Sequence, residues 1–140
     1  MTEIEKELYA MVQDYPIREM VPYIAEYDRE VAALIVGIAK KESNWGKRSP
    51  FKNDKTCYNY WGYKGAGSLG LAMGYGCFAS PQEGVEVIGR RIQELADKNI
   101  NTPSKMVVWK CGSSCAATGG QAAARKWISD VNFYFKKLTT

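Results

Sequence analysis

Apolar residues recur at helical spacing in several stretches of the chain, and the breaks between them are as informative as the runs. Ile4, Leu8, Met11 and Val12 share one face behind a Thr2/Glu5 capping box, which predicts an amphipathic helix that Pro16 ends. Residues 17–27 predict a short second helix that Pro22 starts or bends. Val31 to Ala39 is almost wholly apolar, and its continuation to Glu42 predicts a buried helix over 30–42. From Ser43 to Phe78 the period is lost, and glycines alternate with Trp45, Tyr58, Tyr60, Trp61, Tyr63 and Tyr75, the pattern of loop or short hairpin. Ser80-Pro81-Gln82-Glu83 supplies an N-cap, a Pro at the first helical position and a Glu at the third, ahead of Val85, Ile88, Ile92 and Leu95. A short helix from Pro103, a Cys-Gly-Ser-Ser-Cys turn and two helices near 120–128 and 130–138 complete the order. The expectation is one mainly α (α+β) domain over 1–140, with a central buried helix and a small Gly- and aromatic-rich lobe that together form a cleft.

One charged position breaks this pattern. Ile38, Ile35 and Leu34 precede Glu42 by four, seven and eight residues, so the acid continues the apolar face and points inward. It also stands in the last turn, where the helix terminus carries partial negative charge and favours Lys or Arg. Desolvation and the terminus both disfavour the charged form, the condition a general acid working near neutral pH requires. Glu42 is the lead catalytic candidate.

Composition narrows the chemistry. The chain contains no His, which excludes Ser-His-Asp and Cys-His nucleophilic machinery and His-ligated zinc hydrolases. Carboxylate chemistry survives. The net charge of +4 is uneven: residues 1–30 hold three basic and eight acidic side chains, and residues 98–140 hold seven and one. The basic remainder suits an anionic polymer, although solubility accounts for a charge of this size equally well. No apolar run is long enough to span a membrane, and the acidic N-terminus lacks the basic start and apolar core of a signal peptide. The expectation is that any export signal was removed or that export uses another route. Four cysteines allow three pairings, of which Cys57–Cys77 and Cys111–Cys115 are favoured, the first tying the ends of a Gly-rich loop and the second a tight turn. A Cys-only zinc site and free buried thiols are the alternatives.

An aromatic, Gly-rich excursion directly after a carboxylate at a helix end is what a polysaccharide cleft needs, since sugar rings stack on aromatic faces. Trp45, Tyr60, Trp61, Tyr63 and Tyr75 are the candidate lining, with some of them expected in the core instead. Gly65-x-Gly67-x-x-Gly70 matches a dinucleotide fingerprint in letters only, because no β-branched strand precedes it and no helix opens at it. Lys47, Arg48, Lys52 and Lys55 could contact single-stranded nucleic acid, but a solvated loop or an anionic glycan explains them as well, and no nucleic-acid partner is expected.

Three segments resemble a known group of enzymes. Glu42-Ser43-Asn44-Trp45-Gly46-Lys47, then Tyr58-Asn59-Tyr60-Trp61-Gly62-Tyr63-Lys64-Gly65, then Phe78-Ala79-Ser80-Pro81-Gln82-Glu83-Gly84-Val85 resemble the lysozyme-like peptidoglycan hydrolases. The pattern is most similar to the autolysin and flagellar type of β-N-acetylglucosaminidase. Ser129-Asp130-Val131-Asn132-Phe133-Tyr134 is a looser likeness to a further segment of that family. The resemblance implies a lysozyme-like fold, a peptidoglycan or related N-acetylhexosamine polymer as substrate, and Glu42 as the acid that protonates the glycosidic oxygen. It implies no metal and no cofactor, and the expected protein is a monomer outside the cell or in its envelope. The family tyrosine falls on Phe133, so Tyr134 is the stand-in. Between Ser43 and Gln82 the only acid is Asp54, the candidate second carboxylate. If Asp54 does not face the cleft, Glu42 works alone, as in the lytic transglycosylases, where the sugar's own 6-hydroxyl attacks. Gly70-Leu71-Ala72-Met73 faintly echoes a motif of those enzymes. A muramidase on the same substrate is a further alternative, and a non-catalytic cell-wall glycan-binding module is the reading from another class.

Overall fold

The computed structural model describes all residues, 1–140. Helix α1 (Glu3–Val12) opens on the Thr2 capping box, whose hydroxyl accepts from Glu5 N while the Glu5 carboxylate accepts from Thr2 N. Residues 17–27 do not form one helix: a 3-10 turn over Pro16–Met20 leads into α2 (Val21–Ile24), because Pro16 and Pro22 each remove an amide donor and restart the ladder. Helix α3 (Arg29–Ser43) begins on an Asp28 cap and buries Val31 through Ala39 without a break. Two hairpins follow, β1 (Phe51–Lys52) with β2 (Lys55–Thr56) and β3 (Leu71–Ala72) with β4 (Tyr75–Gly76). Helix α4 (Pro81–Asp97) starts on Ser80 as expected. The Pro103 segment becomes a 3-10 turn over Lys105–Val107 that continues into α5 (Val108–Cys111).

The two helices expected near 120–128 and 130–138 are a single helix, α6 (Gly120–Thr139). Nothing at Ser129-Asp130 stops it. Asp130 points outward and takes ion pairs from Lys41 at 2.7 Å and Lys126 at 3.3 Å, so the polar interruption lies on the surface of a continuous helix.

Helix α3 runs through the centre and packs on α6 and α4. The close approach to α6 is made at Gly37, where a Cβ would lie 2.9 Å from the Val131 carbonyl oxygen. Leu8, Ile24, Ile35, Ile38, Ile88, Ile92, Trp127 and Val131 belong to one continuous core around it. Both hairpins use two-residue turns with positive φ at each central position, Asn53 and Asp54 in the first and Met73 and Gly74 in the second, the type I′ geometry that matches strand twist. Cys57–Cys77 joins the hairpins, and Phe78 N donates to Cys57 O at 2.8 Å beside it. Cys111–Cys115 closes the turn after α5, so both favoured pairings form and no thiol is free. Two disulfides indicate an oxidising compartment. No helix is long and apolar enough to cross a membrane.

Candidate active site

The site is assembled where α3 ends. Asn44 caps the helix in the left-handed region at φ 52°, and Trp45 follows at φ 55°, turning the chain sharply back. That reversal drives the Trp45 ring into the core, where it is 2% exposed and its indole N–H donates to Val36 O. Ser43, also buried, donates from Oγ to Tyr60 O at 2.7 Å and accepts from Gly46 N at 3.0 Å, which fastens the 59–62 segment to the helix end. Asn59 completes the scaffold. Its amide donates to Tyr63 O and Gly76 O while its carbonyl accepts from Trp61 N and Tyr63 N, so one buried side chain sets the loop and holds it to β4.

Against this scaffold stands the Glu42 carboxylate. Its Oε2 accepts from the Trp127 indole N–H at 2.9 Å, and its Oε1 lies against Gly62, where a Cβ would be 3.1 Å away. Gly62 has φ 64° and no side chain to cover the acid. Glu42 is therefore half-buried instead of sealed in as the helical pattern alone suggests. The acid opens on two cavities, of about 710 Å³ and about 280 Å³, that share Glu42, Gly62 and Tyr75. Together they form a groove passing over the carboxylate. One arm is walled by Tyr63, Trp109 and Lys110, and the other by Arg48, Pro50 and Met73.

The sequence-derived candidates divide between this groove and elsewhere. Tyr63 and Tyr75 line it, and the Tyr63 ring stacks on Trp109 and on Phe78 at centroid distances of 6.1 and 6.4 Å. Trp61 forms part of the wall although fully buried, its indole N–H donating to Ile35 O. Trp45 and Tyr60 line neither arm. Both are core residues, and burial pushes the Tyr60 phenol up to about 12. Asp54 occupies the exposed tip of the β1–β2 hairpin, where the type I′ turn needs it, and lines neither arm. Tyr134 also lies outside the groove. It packs edge-on against Trp45 at 4.8 Å and near the Lys40 ammonium, and its partial burial, with Tyr15 nearby, raises its pKa. Of the three catalytic candidates, only Glu42 faces the groove.

Three residues outside the candidate set matter here. Trp127 holds Glu42, Trp109 donates its indole N–H to Trp61 O and forms a groove wall, and Asn59 organises the loop. The one signal for Trp127 is chemical, because an inward-facing carboxylate needs a buried donor and an indole is donor only. No protein-family model matches the chain, and neither a curated protein nor a solved structure matches it.

Proposed function

We propose that this protein cleaves the β-1,4 glycosidic bonds of peptidoglycan glycan strands, with Glu42 as the general acid. The observation that carries the reading is a single carboxylate in the wall of an open groove, fixed by one buried donor and flanked by aromatic rings. Because the Trp127 N–H can only donate, Oε2 is the acceptor and the proton of the neutral acid belongs on Oε1, the oxygen beside Gly62. An acid so oriented delivers its proton to the leaving glycosidic oxygen as the bond to C1 breaks. Tyr63, Tyr75 and Trp109 supply the ring faces and polar edges that a chain of pyranose rings needs. The likeness of residues 42–47, 58–65 and 78–85 to lysozyme-like glucosaminidases supports the same substrate, and the two disulfides agree with a place outside the cell or in its envelope.

A second reading shares the substrate and differs in the nucleophile. Glu42 is the only acid in the groove, with Asp54 on the hairpin tip, which favours intramolecular attack by the 6-hydroxyl of the muramic residue, as in a lytic transglycosylase. Digestion of purified sacculi followed by mass spectrometry separates the two. Reducing N-acetylglucosamine ends identify the glucosaminidase, and 1,6-anhydromuramic ends identify the transglycosylase. Tight binding to the strands with neither product from the unaltered protein would make this a glycan-binding module.

A further inference from the structure

The groove is more basic than a neutral polysaccharide requires. Lys64 from the loop before β3, Arg91 from α4 and Lys110 from α5 come from three separate elements yet line the same arm, and that arm holds no acid except Glu42 at its edge. Two of the three have no counter-charge within the protein, and the third has only a long, exposed ion pair. Lys64 has no carboxylate partner, Lys110 Nζ donates only to the Thr118 carbonyl at 2.9 Å, and Arg91 Nη1 is 3.9 Å from Glu94. By contrast, Lys41 and Lys126 each form an ion pair with Asp130. Three cations gathered on one concave surface, two of them without a counter-charge, raise the local concentration of anions there.

We infer that the Trp109 arm of the groove is a carboxylate subsite, in which Lys64, Arg91 and Lys110 bind the carboxylates borne by muramic acid residues and thereby select anionic strands over neutral chitin-type chains. This inference rests on the glycan-strand reading above. The carboxylates have two sources, the lactyl group of a stripped muramic acid and the side chains and terminus of an attached peptide. Both are planar anions that a guanidinium or ammonium accepts in the same way. Glu42, on the border of this arm, would then meet the glycosidic bond next to the charged saccharide.

The test uses the Glu42→Gln protein, which retains the groove, and measures binding by calorimetry to three probes of equal length. They are chitohexaose, amidase-stripped glycan strands with free lactyl groups, and strands carrying peptides. Carboxylate recognition predicts affinity for the charged strands about tenfold above that for chitohexaose at low salt. The further change of Lys64, Arg91 and Lys110 to Gln is expected to bring that ratio close to one, with an unchanged circular dichroism spectrum showing that the protein is folded. Tighter binding to peptide-bearing than to stripped strands assigns the site to peptide carboxylates, tighter binding to stripped strands assigns it to the lactyl group, whose carboxyl the peptide otherwise ties up as an amide, and equal binding of both above chitohexaose shows that either carboxylate is accepted. Equal affinity for chitohexaose and both charged strands overturns the subsite and leaves the glycan reading standing. Failure to bind any of the three overturns the glycan reading and the subsite with it, as does preferential binding of a single-stranded oligonucleotide.

Discussion

Trp127→Phe isolates the contact on which the site depends. Trp127 is 1% exposed and its indole N–H is the one protein donor to the Glu42 carboxylate, at 2.9 Å. Phe keeps most of the ring volume and removes the donor. Deleting part of a buried ring costs about 1–2 kcal/mol and the lost hydrogen bond about 1–2 kcal/mol more, so the expected loss of stability is about 3 kcal/mol, or about 10 °C in Tm for a chain of this length. A matched control exists in Trp45→Phe, which removes the same atoms from a residue 2% exposed whose indole donates instead to Val36 O. The two variants are expected to lose similar stability and to differ in catalysis. With Oε2 released, the acid no longer presents Oε1 in a fixed orientation, and kcat on purified sacculi is expected to fall at least about tenfold for Trp127→Phe. Trp45→Phe is expected to retain kcat within about threefold, since positioning is untouched. The assay is turnover per folded molecule, with the folded fraction taken from thermal unfolding at the assay temperature. Equal kcat in the two variants would refute the claim that Trp127 positions the acid.

Gly62→Ala places a methyl group 3.1 Å from Glu42 Oε1 at a backbone φ of 64°, so activity on sacculi is expected to collapse while the strain lowers stability by only about 1–2 kcal/mol; an active variant would mean that Oε1 is not the working oxygen. Replacing Cys57 and Cys77 by Ala opens a crosslink between residues 20 apart and is expected to cost about 3 kcal/mol on the chain-entropy model, against about 2 kcal/mol for Cys111 and Cys115, 4 apart. Urea unfolding of the two double variants checks the order. Burial raises the Tyr60 phenol to about 12, above the value of about 10 for an exposed tyrosine. Its contribution to stability is therefore complete below about pH 10 and is lost as pH rises towards 12, and Tyr60→Phe is expected to flatten the alkaline limb of the stability curve.

Several parts of this arrangement are legible in the chain, for identifiable reasons. Strong periodicity and local capping mark α1, α3 and α4, because Thr2, Asp28 and Ser80 act within three residues of the groups they satisfy. The spacing of Leu34, Ile35 and Ile38 also aims Glu42 at the interior side of its helix. How much water reaches that acid is a tertiary matter, set by a glycine 20 positions later that leaves it uncovered. The Trp127 donor lies 85 residues away and no local pattern announces it. Trp45 and Tyr60 read as cleft aromatics because they fall in an irregular segment. A left-handed turn at Asn44 and Trp45, together with the bond from Ser43 to the Tyr60 carbonyl, carries them into the core. Asp54 is the only acid between Ser43 and Gln82, which makes it the candidate second carboxylate by elimination. Its neighbour Asn53 is the signal that outweighs this, since consecutive Asn and Asp residues between short alternating segments favour a type I′ turn with both side chains outward. The single helix over 120–139 has a similar lesson: Ser129-Asp130 is a polar step on an exposed face, not a stop.

Cleavage of glycan strands by Glu42 is tested most directly by the release of soluble muropeptide-bearing fragments from purified sacculi by the native chain and by Glu42→Gln, followed by mass spectrometry. General-acid catalysis by Glu42 predicts fragments with new glycosidic ends from the native chain and a loss of about 10² to 10⁴ in rate for the variant, with unchanged Tm within a few degrees and retained binding to the strands. A Glu42→Gln protein that releases fragments at the native rate would contradict it.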